Sequence, residues 1–289
     1  MSCIICNNNE YSVLFSAGKA QDEPILKCNS CGLMFLDNKK DYSDLQKLKN
    51  NPENSGISIQ YAEKQVLQIS DYKDICDFIL KNKGKNAKVL EIGSNTGAFL
   101  NFLKNQGFDA KGIEPNKFAY EYAKKNFGID LINDDLISAN FKSSEFDAVV
   151  MLHVIEHLKN PCLELSEIKR VLKPGGLLVI ETPSFDSLIF KFLKHRERSI
   201  RCRGHLFFFT YDTLKRLLKK NGFDVLDLKY VGRTLTVERL IHNIEIIMNS
   251  VKIKQILMSI CRILKLSGLK IKINIKDMQR IYAENNKRD

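Results

Sequence analysis

The sequence predicts an α/β chain built on a mostly parallel sheet, with a small four-cysteine module in front of it. Three observations carry that expectation. Apolar, strand-like runs alternate with amphipathic, helix-like runs from Tyr61 onward, the pattern of right-handed crossovers over a sheet covered on both faces. The stretch KVLEIGSNTGAFLNFL, Lys88 to Leu103, joins an apolar strand to a helix through Gly93 and Gly97. Two Cys-x-x-Cys pairs, Cys3/Cys6 and Cys28/Cys31, precede it.

The cysteine module comes first in the chain. A two-residue gap lets both thiolates of one turn reach the same ion, and two such turns supply a tetrahedral set. The spacing, with YSVLF and PILKC between the pairs, predicts a zinc ribbon over residues 1–40. All four positions are filled, so the expected zinc is structural, with no open position for a catalytic water. Cys76, Cys162, Cys202 and Cys261 are scattered and read as ordinary thiols. Residues 41–60 are polar and read as a linker, and residues 61–289 as the main domain.

Within that domain each element has its own signal. YAEKQVLQISDYKDICDFILKN has apolar residues at helical spacing. AKVLEIG is a strand, GAFLNFLKNQG a helix ended by Gly107, and DAKGIEP a strand. NKFAYEYAKKNFG is a helix with Asn116 as N-cap and Gly128 just past its end. IDLIN is expected as a third strand and FDAVVMLHV as a fourth. NPCLELSEIKRVLKPGG is a helix capped by Asn160, opened by Pro161 and stopped by Pro174. GLLVIETP is the fifth strand, TYDTLKRLLKKNGF a helix with Thr210 as cap, FDVLDLKYV the sixth strand and DMQRIYAEN the seventh. Insertions fall at about 183–209 and 233–274.

Composition narrows the function. Hydrophobic content of 44% supports a packed core. No apolar run reaches the ~18 residues of a membrane span, and MSCIICNNNEYS has no basic-then-apolar leader. The expected compartment is the cytoplasm, where paired cysteines bind metal more often than they form disulfides. The net charge is +11, which suits nucleic acid, a membrane surface or a phosphorylated substrate. Basic residues concentrate after the glycine loop, notably in KHRERSIRCR and along 233–280.

The loop itself excludes two nucleotide sites. Asn95 and Ala98 break the G-x-G-x-x-G dinucleotide fingerprint, and no G-x-x-x-x-G-K-[ST] is present. What remains is Glu91 two residues before Gly93, and Glu114 at the end of the second strand in GIEPN. An acid about 20 residues beyond the loop is placed to accept ribose hydroxyls. The loop therefore reads as holding an adenosine-type ligand rather than a diphosphate.

Taken together, VLEIGSNTGAF, GIEPN, INDDL, FDAVVMLHVIEHLKNP, EIKRVLKPGGLLVIETPS and GHLFFFTYDTLKRLLKKNGF resemble class I S-adenosylmethionine-dependent methyltransferases over roughly Tyr61 to Glu284. The resemblance implies a Rossmann-like seven-stranded sheet whose last strand is antiparallel. The ribbon in front resembles a bacterial subgroup that modifies sugars and cell-surface polysaccharides. Asn95 departs from the family's E/D-x-G-x-G-x-G, although Asn tolerates unusual backbone angles. The resemblance implies that Gly93, Ser94, Asn95 and Gly97 wrap the methionine part of the cofactor, and that Glu91 positions the loop. Glu114 with Pro115 would take the ribose. Asp135, in competition with Asp134, would meet the adenine amino group, with Leu136 over the ring and Leu152 and His153 nearby.

Methyl transfer to a hydroxyl calls for positioning and a general base. MLHVIEHLKNP and RGHLFFFT offer His153, His157 and His205 after strands. His153 and His205 are the leading base candidates, while His157 with Glu156 could instead fix the loop. Arg196, Arg198, Arg201 and Arg203 read as an anion-binding cluster. The insertion 238–274 reads as helical, apolar and basic together, a lid over the cleft or a basic amphipathic contact with a membrane surface. The expected reaction is O-methylation of a sugar, nucleotide-sugar or polysaccharide component. The alternatives are a ribosomal RNA methyltransferase and a non-catalytic binding module. Against RNA, no aromatic-rich basic strand stands out for base stacking.

Overall fold

The structure is a computed structural model that describes residues 2–37, 65–129, 131–248, 251–264, 266 and 268–286; the proposed linker, 41–60, lies outside the described residues. Its centre is a six-stranded sheet in the order β5-β4-β6-β7-β12-β9. The strands are β4 (Lys88–Ile92), β5 (Asp109–Ile113), β6 (Phe146–Leu152), β7 (Leu172–Pro183), β9 (Phe223–Tyr230) and β12 (Met278–Asn285). β5, β4, β6 and β7 are parallel neighbours. β12 runs antiparallel between β7 and β9.

The central strands read as largely apolar runs because both of their faces are buried. Alternate residues serve opposite faces. Val89, Val150 and Val179 pack with Ile75, Ile79, Phe99, Leu103 and Ala123, from α1 (Lys73–Lys83), α2 (Ala98–Asn105) and α3 (Lys117–Phe127). Leu90, Val149 and Leu178 pack with Leu165, Ile168, Leu214 and Leu217, from α4 (Pro161–Val171) and α6 (Tyr211–Lys220). The expected caps are in place. Asn116 Oδ1 accepts from Ala119 N at 3.1 Å, Asn160 Oδ1 accepts from Leu163 N at 3.1 Å, and Thr210 Oγ1 accepts from Thr213 N at 3.3 Å.

Three sequence expectations change. The described residues of IDLIN form no strand of their own; they join the sheet through one parallel bridge, Ile132 to Ile113, beyond β5. Pro174 does not stop α4, because the helix ends at Val171 and β7 begins at once. Lys173 to Gly176 instead form a bulge, since Phe146 pairs with Leu172 while Ala148 pairs with Leu177. The insertion 233–274 is not purely helical. β10 (Arg233–Thr236) and β11 (Lys270–Ile273) close an antiparallel ribbon around α7 (Val237–Met248) and α8 (Val251–Ile263). Ile256, Ile260 and Ile263 on α8 are exposed. No helix among the described residues is long and apolar enough to cross a membrane.

The cysteine module is not a separate unit. Its strands β1 (Tyr11–Phe15), β2 (Ile25–Cys28) and β3 (Met34–Leu36) form a sheet completed by β8 (Phe207–Phe208) of the main domain. Ile25, Leu33, Phe35 and Leu36 belong to one apolar core with Phe207, Phe208 and Leu214. A ribbon of this size buries too little surface to stand alone, and the domain supplies the missing strand.

Candidate active site

A cavity of about 900 Å³ opens at the carboxyl ends of β4, β5 and β6. Its first wall is the turn after β4. Gly93 has φ +72°, and a Cβ there would stand 2.5 Å from Val154 Cγ2, so only glycine fits. Asn95 has φ +47°, the left-handed geometry that asparagine accepts at low cost. Gly97, expected to touch the ligand, does not line the cavity. Its φ is +78° and an added Cβ would lie 2.9 Å from Ala123 Cβ, so it serves the close approach of α2 to α3.

Glu114 is fixed by backbone. Its Oε2 accepts from Asn95 N and its Oε1 from Asn116 N, both at 2.8 Å. These two bonds tie the β4 turn to the end of β5 and hold the carboxylate at the cavity wall. Glu91 is 3% exposed and its Oε2 has no hydrogen-bond partner. Burial, with the nearby charge of Glu114, pushes its carboxyl up to about 8 against a hydrogen bond from Ser94. Asn95 Oδ1 is also buried without a partner. Pro115, Asp134, Asp135, Leu136 and Leu152 complete this side. Asp135 Oδ1 accepts from Ser138 N at 2.8 Å, and Asp134 Oδ1 from Asp135 N at 2.9 Å. Both acids face the cavity, so the choice between them stays open.

The second wall carries the histidines, all three of which line the cavity. His153 sits at φ +58°, a strained position for a residue with a Cβ. Its amide donates to Glu181 O at 2.8 Å. Its ring lies between two buried carboxylates, Nδ1 at 3.6 Å from Glu156 Oε1 and Nε2 at 3.4 Å from Glu181 Oε1. Burial works against the charged ring, but the pull of the Glu156 and Glu181 carboxylates prevails and raises it to about 9. Glu181 also pairs with the buried Arg280. His153 therefore holds its proton more tightly than an ordinary imidazole. His205 differs: burial lowers it to about 4, so its ring is neutral. Its ring meets that of His157 edge to face at 4.6 Å. His157 Nδ1 donates to Gly204 O at 2.8 Å.

The arginine cluster divides. Arg196 and Arg198 line the cavity, whereas Arg201 and Arg203 do not. Arg203 is 83% exposed and lies 3.7 Å from Asp22. The sequence reading missed Arg233 and Arg239, which reach the cavity from β10 and α7. Arg233 pairs with Asp277. Arg239 Nε is buried without a partner. Burial, with repulsion from Arg198, lowers the Arg239 guanidinium below its ordinary range. Gln65, Tyr72 and Asp277 line the cavity too. Their role depends on chain reversals that no local motif encodes.

The four cysteines also converge. Sγ of Cys3 and Cys31 are 3.5 Å apart, those of Cys6 and Cys28 are 3.6 Å apart, and all four lie within 4.8 Å of one another.

Comparison with known families decides the assignment. Residues 63–228 match the family model described as a methyltransferase domain. The chain belongs to this methyltransferase family. A methyltransferase of Geobacillus sp. (strain WCH70), named as uncharacterized, is 26% identical over 57% of this chain and 82% of its own. The mitochondrial ubiquinone biosynthesis O-methyltransferase of Schizosaccharomyces pombe is 27% identical over 52% of this chain and 60% of its own. In fold, the chain is similar to a SAM-dependent methyltransferase of Thermotoga maritima (TM-score 0.53, 21% identity, 84% of this chain and 100% of that one).

As an S-adenosylmethionine-dependent methyltransferase the chain has a cofactor side that fits its ligand. S-adenosylmethionine presents an ammonium group and two ribose hydroxyls. The first wall answers with acceptors: the Glu114 carboxylate and two buried atoms still without partners, Glu91 Oε2 and Asn95 Oδ1. Buried polar atoms are ordinarily satisfied, and a ligand donating there would satisfy these.

Proposed function

We propose that this methyltransferase acts on a hydroxyl of an anionic sugar derivative, either a nucleotide-linked sugar or a component of a cell-surface polysaccharide. The observation that carries the reading is the cationic wall: Arg196, Arg198, Arg233 and Arg239 all line the cavity, and Arg239 Nε is buried without a partner. A guanidinium matches the geometry of phosphate and carboxylate. The resemblance of the cysteine module to that of sugar-modifying methyltransferases supports the sugar class. The O-methyltransferase among the relatives supports transfer to oxygen.

In this reading Glu114 and Pro115 hold the ribose, while Gly93, Ser94 and Asn95 with Glu91 hold the amino-acid end. Asp134 or Asp135 meets the adenine amino group over Leu136. Bound S-adenosylmethionine supplies a methyl group activated by the sulfonium, so the protein's task is to place the acceptor. The arginines anchor the acceptor's anionic end and set its hydroxyl against His157 and His205. Zinc, held by Cys3, Cys6, Cys28 and Cys31, would be structural, because four thiolates fill its tetrahedron.

Mass spectrometry of the nucleotide-sugar pool and surface glycans, with and without the protein, tests the proposal. The expected result is an anionic sugar that becomes lighter by one methylene group when the protein is absent. An unchanged glycan pool together with a lost RNA methyl group would overturn it in favour of a nucleic-acid substrate.

A further inference from the structure

We propose that Glu156, His157 and His205 hold a divalent transition-metal ion on the cavity wall, at a site separate from the four cysteines. The ion would bind an oxygen of the acceptor, a consequence that rests on the methyltransferase reading above. One ligand atom from each of the three residues lies within 4.8 Å of the others. Glu156 and His205 are 0% and 6% exposed, and both line the cavity. Glu156 Oε1 and His205 Nδ1 are each buried without a hydrogen-bond partner. Each is a metal-ligating atom type with no hydrogen bond to satisfy it, in residues that converge on one point. A shared cation satisfies both at once.

The surroundings have the form of an outer coordination shell. Thr182 Oγ1 donates to Glu156 Oε2 at 2.9 Å, which orients the carboxylate. The bond from His157 Nδ1 to Gly204 O fixes that ring and its tautomer, as such bonds do for metal-bound histidine. Leu206 N donates to Glu156 O at 2.7 Å, joining the two segments that carry the donors. Gln21 Nε2 donates to Ile200 O at 3.0 Å and His205 O at 3.4 Å, so the cysteine module braces the His205 loop. His153 Nδ1 lies 3.6 Å from Glu156 Oε1, an ion-pair contact rather than a hydrogen bond, so that oxygen keeps a lone pair for the ion. Two imidazoles and one carboxylate suit manganese, iron, cobalt or zinc better than calcium or magnesium. Three protein donors leave coordination positions open toward the cavity.

The test is a Co2+ titration of the full-length protein with its cysteine site already loaded with zinc, followed by absorption spectroscopy and calorimetry. One further Co2+ per chain is expected, without the charge-transfer band that thiolate ligands give. That binding should vanish in Glu156→Gln and in His157→Gln, and weaken about 10–100-fold in Thr182→Val. Affinity for S-adenosylhomocysteine, measured on every variant, should stay unchanged and shows that each is folded. No Co2+ beyond the cysteine site, or Co2+ retained in both ligand variants, would overturn the proposal while leaving the methyltransferase reading intact. Co2+ bound at this site by a protein that fails to bind S-adenosylhomocysteine would uphold the metal site and sink that reading instead.

Discussion

The two walls of the cavity are assembled in opposite ways. The cofactor wall comes mainly from residues between Glu91 and Leu136, with Leu152 beside them, and is held together by backbone: two amides on Glu114 and a left-handed turn at Gly93 and Asn95. The acceptor wall gathers side chains from the turn after β6, the loop before β8, β10 and the start of α7, and the cysteine module braces its His205 loop. It is held by buried charge and by packing between remote segments. A wall made of backbone tolerates changes in its neighbours, whereas a wall made of remote side chains inherits every disturbance of the elements behind it.

Breaking the brace should have the largest effect. Cys28→Ser should lower stability, by about 2–4 °C in melting temperature for each kcal/mol lost. Because β3 pairs with β8 next to His205, turnover should fall as well, with affinity for S-adenosylhomocysteine kept. Full turnover in a zinc-free variant would show that the walls are independent. Next comes the buried acid of the cofactor wall. The Glu91 carboxyl is raised from its ordinary value to about 8, so between those two values the folded state binds more protons than the unfolded chain. Stability must then fall as pH rises through that window, by up to about 1.4 kcal/mol per pH unit. Glu91→Gln should flatten the slope in denaturant titrations across this range, and an unaltered profile would remove the assignment.

Glu114→Ala should weaken S-adenosylhomocysteine binding by about 1.5–3 kcal/mol, the scale of a hydrogen bond to a charged group. Calorimetry showing wild-type affinity would take the ribose role from Glu114. On the acceptor wall, Arg239→Ala should raise the acceptor KM about tenfold, the low end of that same scale, while cofactor affinity holds. A rise in the cofactor's Kd instead would move Arg239 to the other wall. The smallest effect belongs to Arg203→Ala. Exposed and outside the cavity, it should change stability by less than about 0.5 kcal/mol and KM not at all; a clear KM rise would show that the acceptor extends beyond the cavity.

The sequence by itself determined the alternation of strands and helices, the caps at Asn116, Asn160 and Thr210, the glycine turn and the acid at the end of the second strand. Each depends on residues within a few turns of one another, where spacing and backbone chemistry suffice. The four cysteines were legible for the same reason, since two-residue gaps write the geometry into the chain. Only the tertiary structure decided the rest. It reduced IDLIN to a single bridge and completed the cysteine module with β8. It moved Gly97, Arg201 and Arg203 out of the cavity and brought Arg233 and Arg239 in. It also raised the proton affinity of His153, because Glu156 and Glu181 converge on it from the turn after β6 and from β7. Burial and the field of distant charges set such a proton's affinity, and neither is a property of any local run of residues.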